Sequence, residues 1–128
     1  MASLIQNITV DCADPFTLAQ FWSAVLNLPV DPENEAGDDE VGIPLDEHGR
    51  ELLFIKVPEP KTVKNRLHLC LEPLQPREVE VERLLARGAS LMDDRRDPDG
   101  SGWAVLHDPE GNEFCVLRSA AERTPAQH

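Results

Sequence analysis

The chain carries the same order of structural signals twice, and that duplication constrains its fold more than any other feature. Asp14-Pro15 and Gln75-Pro76 each open an amphipathic segment, and the prolines stand 61 positions apart. Proline favours the start of a helix, where its missing N–H would be unpaired anyway. A strand-like stretch precedes each segment and further strand-like stretches follow it. The same shift sets Asn7 against His68, Asp11 against Glu72 and Leu26 against Arg87. Self-similarity at one spacing marks a repeated supersecondary unit. The reading is therefore α+β, one domain over residues 1–128, with a first module over about 3–58, a second over about 64–118 and a C-terminal tail over 119–128.

The local patterns fill in this frame. Leu4 to Cys12 reads as a strand with unlike faces, since Ile8 and Val10 alternate with Asn7, Thr9 and Asp11. Leu18, Phe21, Trp22, Val25 and Leu26 then fall at helical spacing, and the helix stops before Pro29. From Val30 to Arg50 the chain is acidic and rich in turn formers, and we expect two weak strands there, one around Val41 to Leu45. Glu51 to Val57 and Asn65 to Glu72 read as firmer strands. A second helix follows Pro76, carries Val81, Leu84 and Leu85 on one face, and ends at Gly88. Ala89 to Met92, Trp103 to His107 and Glu113 to Leu117 read as strands. The polar stretch Asp93 to Gly102 reads as a mobile loop, and Asp108 to Asn112 as a turn whose chemistry explains each of its residues.

Composition excludes several classes of function. No apolar run approaches the roughly 18 residues a membrane span needs. Met1 to Leu4 lacks the basic and apolar stretches of a secretory signal, so a cytoplasmic protein is expected. The formal charge of −12 disfavours nucleic acid and anionic lipid, and the one basic cluster, Lys56, Lys61, Lys64 and Arg66, is interrupted by Glu59 and has no aromatic platform. Cys12, Cys70 and Cys115 form no metal-finger spacing and read as reduced, mostly buried thiols.

Two sheets, each covered on one face by one helix, leave two bare faces to enclose a cavity. In the 65–72 strand, alternation turns Leu67, Leu69 and Leu71 toward the helix and leaves Arg66, His68, Cys70 and Glu72 on the bare face. Asn7, Thr9 and Asp11 on the first strand, and Glu113 and Cys115 on the last, fall on the same kind of face. His68 there is either an acid/base or hydrogen-bonding group of a pocket, or a strand residue bonded to a neighbour. Arg66 either grips an anionic ligand group or pairs with one of the many acids. Cys70 and Cys115 would approach one another near His68 if their strands are neighbours, and an imidazolium there would activate a thiol, although buried inert thiols explain them as well. Trp22 belongs to the core; Trp103 is either core or a wall of the cavity.

Several passages resemble the glyoxalase/bleomycin-resistance/dioxygenase superfamily, the vicinal oxygen chelate proteins, and in particular its compact glyoxalase-like subgroup. They are Asp11-Cys-Ala-Asp-Pro15 with Leu18-Ala-Gln-Phe-Trp22, Val57 to His68, and Asp108-Pro-Glu-Gly-Asn-Glu-Phe-Cys115. The resemblance implies two βαβββ modules forming a cupped mixed sheet. It also implies four metal-ligand positions, which fall here on Asn7, Ile55, His68 and Cys115. Ile55 has no donor atom, Asn7 is a poor one, and Cys115 is soft where hard divalent ions are usual. Zn²⁺ on His68 and Cys115 with Glu113 or a water would still want a well-placed third protein ligand.

These readings lead to a small-molecule-binding protein that uses no metal cofactor, with Asn7, Ile55, Arg66, His68, Trp103, Glu113 and Cys115 lining the pocket. His68 is the one catalytic candidate. The rival is a metal-dependent lyase, isomerase or dioxygenase. A third reading is a regulatory or accessory module that meets a basic partner through the acidic 31–50 segment. Pairing through edge strands predicts a homodimer.

Overall fold

Asp14 turns the chain from strand into helix: its Oδ1 accepts a hydrogen bond from the Thr17 N–H at 3.3 Å, and Pro15 fills the first helical position. The computed structural model describes residues 1–123, in two compact units, one spanning Met1–Lys61 and the other beginning at Thr62. Helix α1 (Pro15–Leu26) ends at Asn27, which takes the left-handed conformation at φ 54°. Leu18, Phe21, Trp22 and Val25 are buried, and the helix packs on β2 (Glu40–Pro44) and β3 (Glu51–Lys56). Strand β3 is central in its sheet, parallel to β1 (Asn7–Cys12) and antiparallel to β2. Neighbours on both edges explain its uninterrupted apolar run, Leu52, Leu53 and Phe54, all buried.

The second unit repeats this plan and extends it. Its strands β4 (Leu69–Leu71), β5 (Ser90–Arg96), β6 (Gly102–His107) and β7 (Glu113–Val116) are ordered β4-β7-β6-β5, with helix α2 (Arg77–Ala86) between β4 and β5. The central strand β7 is parallel to β4, as β3 is to β1. The buried Val81 and Leu84 of α2 face the side of β7 that carries Phe114 and Val116. The 61-residue shift carries β1, α1, β2 and β3 onto β4, α2, β6 and β7 to within about two residues.

Strand β5 has no partner in the first unit, which is therefore βαββ rather than βαβββ. Two weak strands were expected between 30 and 50, and only β2 forms. Pro29 and Pro32 remove two donors where the missing strand would run. The segment bonds to β2 through Asp31 N–H to Gly42 O at 2.9 Å and Gly42 N–H to Asn34 Oδ1 at 3.0 Å, short of a ladder. Strand β1 begins at Asn7, later than the expected Leu4, and Leu4 and Ile5 are exposed.

Two further expectations are corrected in the second unit. The 65–72 strand shrinks to Leu69–Leu71, and Leu67 is exposed instead of meeting the helix. The Glu113 side chain, not a strand ladder, holds the preceding segment, accepting from Asn65 N–H at 2.8 Å. The loop expected over Asp93 to Gly102 is mostly hairpin: β5 continues to Arg96 and β6 starts at Gly102. A bulge at Met92 changes the side-chain parity, so that Leu91 stands opposite Leu106 but Asp93 opposite Val105. Ion pairs from Arg95 to Asp93 and from Arg96 to Asp94 offset the strand's charge. The Arg96 guanidinium holds the Asp94 carboxyl down at about 2, so this exposed pair contributes above the ordinary carboxylate range and dissolves as pH falls toward 2.

Buried Arg77, in the first turn of α2, fixes the hairpin. Its Nη1 donates to Gly102 O at 2.6 Å and its Nη2 to Gly100 O at 3.1 Å. Pro76 supplies no side-chain cap, and Glu122 Oε1 accepts from the Arg77 N–H at 2.8 Å instead. The expected tail thus begins with a structural contact; its residues 124–128 lie outside the described residues. Gly102 has φ +87°, and a Cβ there would overlap the Arg95 carbonyl. Gly102→Ala should therefore cost about 2–4 kcal/mol in urea unfolding. Arg77→Met, which strands two carbonyls and removes charge-assisted bonds, should cost about 2–3 kcal/mol. Wild-type stability in either variant would remove this clamp from the account.

Candidate functional site

The face of the second sheet that turns away from α2 is built by alternation. On β6 it carries Trp103 and Val105, and on β7 it carries Glu113 and Cys115, with Leu117 just beyond. The bulge in β5 brings Met92, Asp93 and Arg95 to the same side, the segment before β4 adds Lys64 and His68, and β4 adds Cys70. These residues line a hollow of about 390 Å³.

Four of the seven residues expected to line the pocket meet here, His68, Trp103, Glu113 and Cys115, together with Cys70 from the same expected face. Trp103 is 42% exposed, which makes it a wall of the hollow and not core. Arg66 is exposed but does not line the hollow. Asn7 and Ile55 belong to the first unit, where Asn7 stands opposite Glu51, and Ile55 opposite Asp11. Sequence reasoning passed over Lys64, Met92 and Arg95 as lining residues. The bulge hid Met92 and Arg95, whereas Lys64 stood in a basic cluster interrupted by Glu59.

Glu113 is occupied as a structural group. Besides Asn65 N–H, its carboxylate lies 3.3 Å from His107 Nε2, and the side chain is buried. Asp108 is likewise structural: it is buried, and its Oδ1 accepts from the N–H groups of Glu110 and Asn112 at 2.9 and 3.0 Å. Cys70 and Cys115 are opposite one another in the parallel register of β4 and β7, both as free thiols. One ligand atom from each of His68, Cys70 and Cys115 lies within 4.8 Å of the others. Burial pushes the Cys115 thiol up to about 11, with Cys70 adding to the effect and Lys64 opposing it.

A family profile described as glyoxalase-like domain matches residues 7–117. The chain belongs to the glyoxalase-like domain family. No curated protein matches it. Among solved structures, a glyoxalase/bleomycin resistance protein/dioxygenase family enzyme from Burkholderia phytofirmans PsJN is similar at TM-score 0.66 and 17% identity, covering 89% of this chain and 97% of that one. A possible glyoxalase from Bacillus cereus has TM-score 0.66 at 18% identity, with coverage of 91% and 99%. A glyoxalase/bleomycin resistance protein from Albidiferax ferrireducens T118 has TM-score 0.61 at 21% identity, with coverage of 90% and 98%. At these identities the likeness establishes the fold, and the α+β reading with mixed sheets holds. No helix among the described residues is long and apolar enough to cross a membrane.

The hard-metal ligand set implied by the superfamily does not fit this glyoxalase-like chain. Ile55 offers no donor. The register sharpens the point, because the residue that stands opposite Thr9, as Cys115 stands opposite Cys70, is Leu53. Either residue is hydrocarbon, so no step through an ion at those four positions is derived.

The raised Cys115 thiol gives a direct test of reactivity. At pH 8 only about one molecule in a thousand carries the Cys115 thiolate. Iodoacetamide on native protein should modify exposed Cys70 first and spare Cys115 and Cys12, as read by peptide mass mapping. Alkylation of Cys115 should quicken about 100-fold between pH 8 and pH 10. Rapid modification of Cys115 at neutral pH would instead make it an activated nucleophile.

Proposed function

We propose that the chain binds a small organic molecule in the hollow of its second unit, using none of the hard-ion chemistry of the superfamily's usual ligand positions. The observation that carries this reading is the lining itself. Trp103, Met92, Val105 and Leu117 offer an apolar and aromatic surface, while Lys64 and His68 make no hydrogen bond or ion pair among the described residues. The volume falls within the range of small-molecule sites, which are mostly apolar with a few convergent polar groups. Arg95 is paired to Asp93, and Glu113 to Asn65 and His107, so Lys64 is the cation left to meet a ligand.

The chemistry that suits this surface is a flat apolar body with one anionic group. The indole of Trp103 takes the body, and the Lys64 ammonium takes the anion. His68 supplies a neutral or protonated imidazole beside them. The ligand's anion meets the Lys64 ammonium on a chain of net charge −12, which selects for size and placement of its charge. Pairing of two copies through edge strands remains part of the proposal.

A panel of aromatic and aliphatic carboxylates, screened by thermal shift and by Trp fluorescence with EDTA present, tests the reading. At least one aromatic carboxylate should raise the melting temperature in a concentration-dependent way. Trp103→Ala and Lys64→Gln should each weaken that binding about 10- to 100-fold, which corresponds to about 1.4–2.8 kcal/mol. Binding unaffected by both substitutions, or no stabilisation across the panel, would sink the assignment.

A further inference from the structure

Three soft or borderline donors converge in the hollow. We propose that His68, Cys70 and Cys115 form a binding site for one thiophilic cation of the Zn²⁺ class. The register of β4 and β7 puts the two thiols on neighbouring strands, and His68 precedes β4 by one residue. Their ligand atoms are already gathered within 4.8 Å.

Tetrahedral Zn²⁺ with bonds of about 2.3 Å to sulfur and about 2.0 Å to nitrogen sets its ligand atoms roughly 3.5–3.8 Å apart. Closing the observed separation needs side-chain movement of about an ångström. His68 and Cys70 are exposed, while buried Cys115 anchors the set. Two thiolates and one imidazole are a known three-ligand arrangement for Zn²⁺, one that leaves a fourth position to water or to a ligand. Soft donors select against Mg²⁺ and Ca²⁺, the ions that the oxygen-rich positions of a hard site would take.

The charges around the site are compatible with this occupant. Two thiolates neutralise a divalent ion, and Asp93 and Glu113 offset Arg95 and Lys64 on the same lining. This set differs from the four superfamily positions in using Cys70 and in drawing every ligand from one unit. Sequence reasoning had sought the third ligand in Glu113, which the fold commits to Asn65 and His107. The inference is independent of the organic-ligand reading, because that test is run with chelator present.

Titration of the reduced, metal-free protein with Co²⁺, followed by Zn²⁺ competition against a chromophoric chelator, tests it. One Co²⁺ per chain should bind with a thiolate-to-cobalt charge-transfer band and the visible absorption of a tetrahedral site, and Zn²⁺ should displace it. Cys70→Ser, at an exposed position that leaves the core intact, should weaken binding more than about 100-fold, beyond the usual effect of losing an outer-shell partner. His68→Ala should do the same. Cys12→Ala should leave binding unchanged. Absence of the charge-transfer band in the wild type, or wild-type affinity in folded Cys70→Ser, overturns the proposal.

Discussion

The parallel pairing of β4 with β7 is the constraint on which the site depends. It sets Leu69, Cys70 and Leu71 opposite Phe114, Cys115 and Val116. The odd partners on β7 then face the hollow, while Phe114 and Val116 are buried in the core. A slip of one residue would turn Cys70 away from Cys115 and toward the helix. Only three residues of β4 form this ladder, so its hold is reinforced at both ends, by Asn65 N–H on Glu113 and by Leu117 N–H on Leu71 O at 2.9 Å. Glu113 is thus buried for the sake of the strand beside it, and its place in the hollow is secondary.

The opposite wall depends on Arg77. A guanidinium taken out of water is costly, and here two carbonyls of the hairpin end satisfy its Nη1 and Nη2. The same residue receives Glu122 at its backbone, so the start of α2, the segment after β7 and the β5–β6 hairpin share one hydrogen-bonded junction. Trp103 follows Gly102 directly and is aimed by it. The wall of the hollow therefore inherits its position from a glycine that no other residue can replace without strain.

Much of this was legible in the sequence because it rests on periodicity. The proline spacing anticipated the repeat, and the alternation of Trp103 with Val105 and of Glu113 with Cys115 anticipated the lined face. The meeting of Cys70 and Cys115 near His68 followed from the strand order that the family resemblance implies. What escaped the sequence rests on long-range bonds. Arg77 looks like any helix-opening cation until the carbonyls of Gly100 and Gly102 are beside it. The strand through Asp93 to Arg96 has turn-like composition, and its bulge breaks the period of two that reveals strands. The missing counterpart of β5 reflects Pro29 and Pro32, whose effect is to subtract donors and not to announce a pattern.

The central claim is the register that brings positions 70 and 115 together. Backbone nuclear Overhauser contacts between β4 and β7 in isotope-labelled protein measure it most directly. The account predicts cross-strand contacts centred on Cys70 with Cys115 and on Leu71 with Val116. Contacts displaced by one residue, or the absence of any between these strands in folded protein, would contradict it.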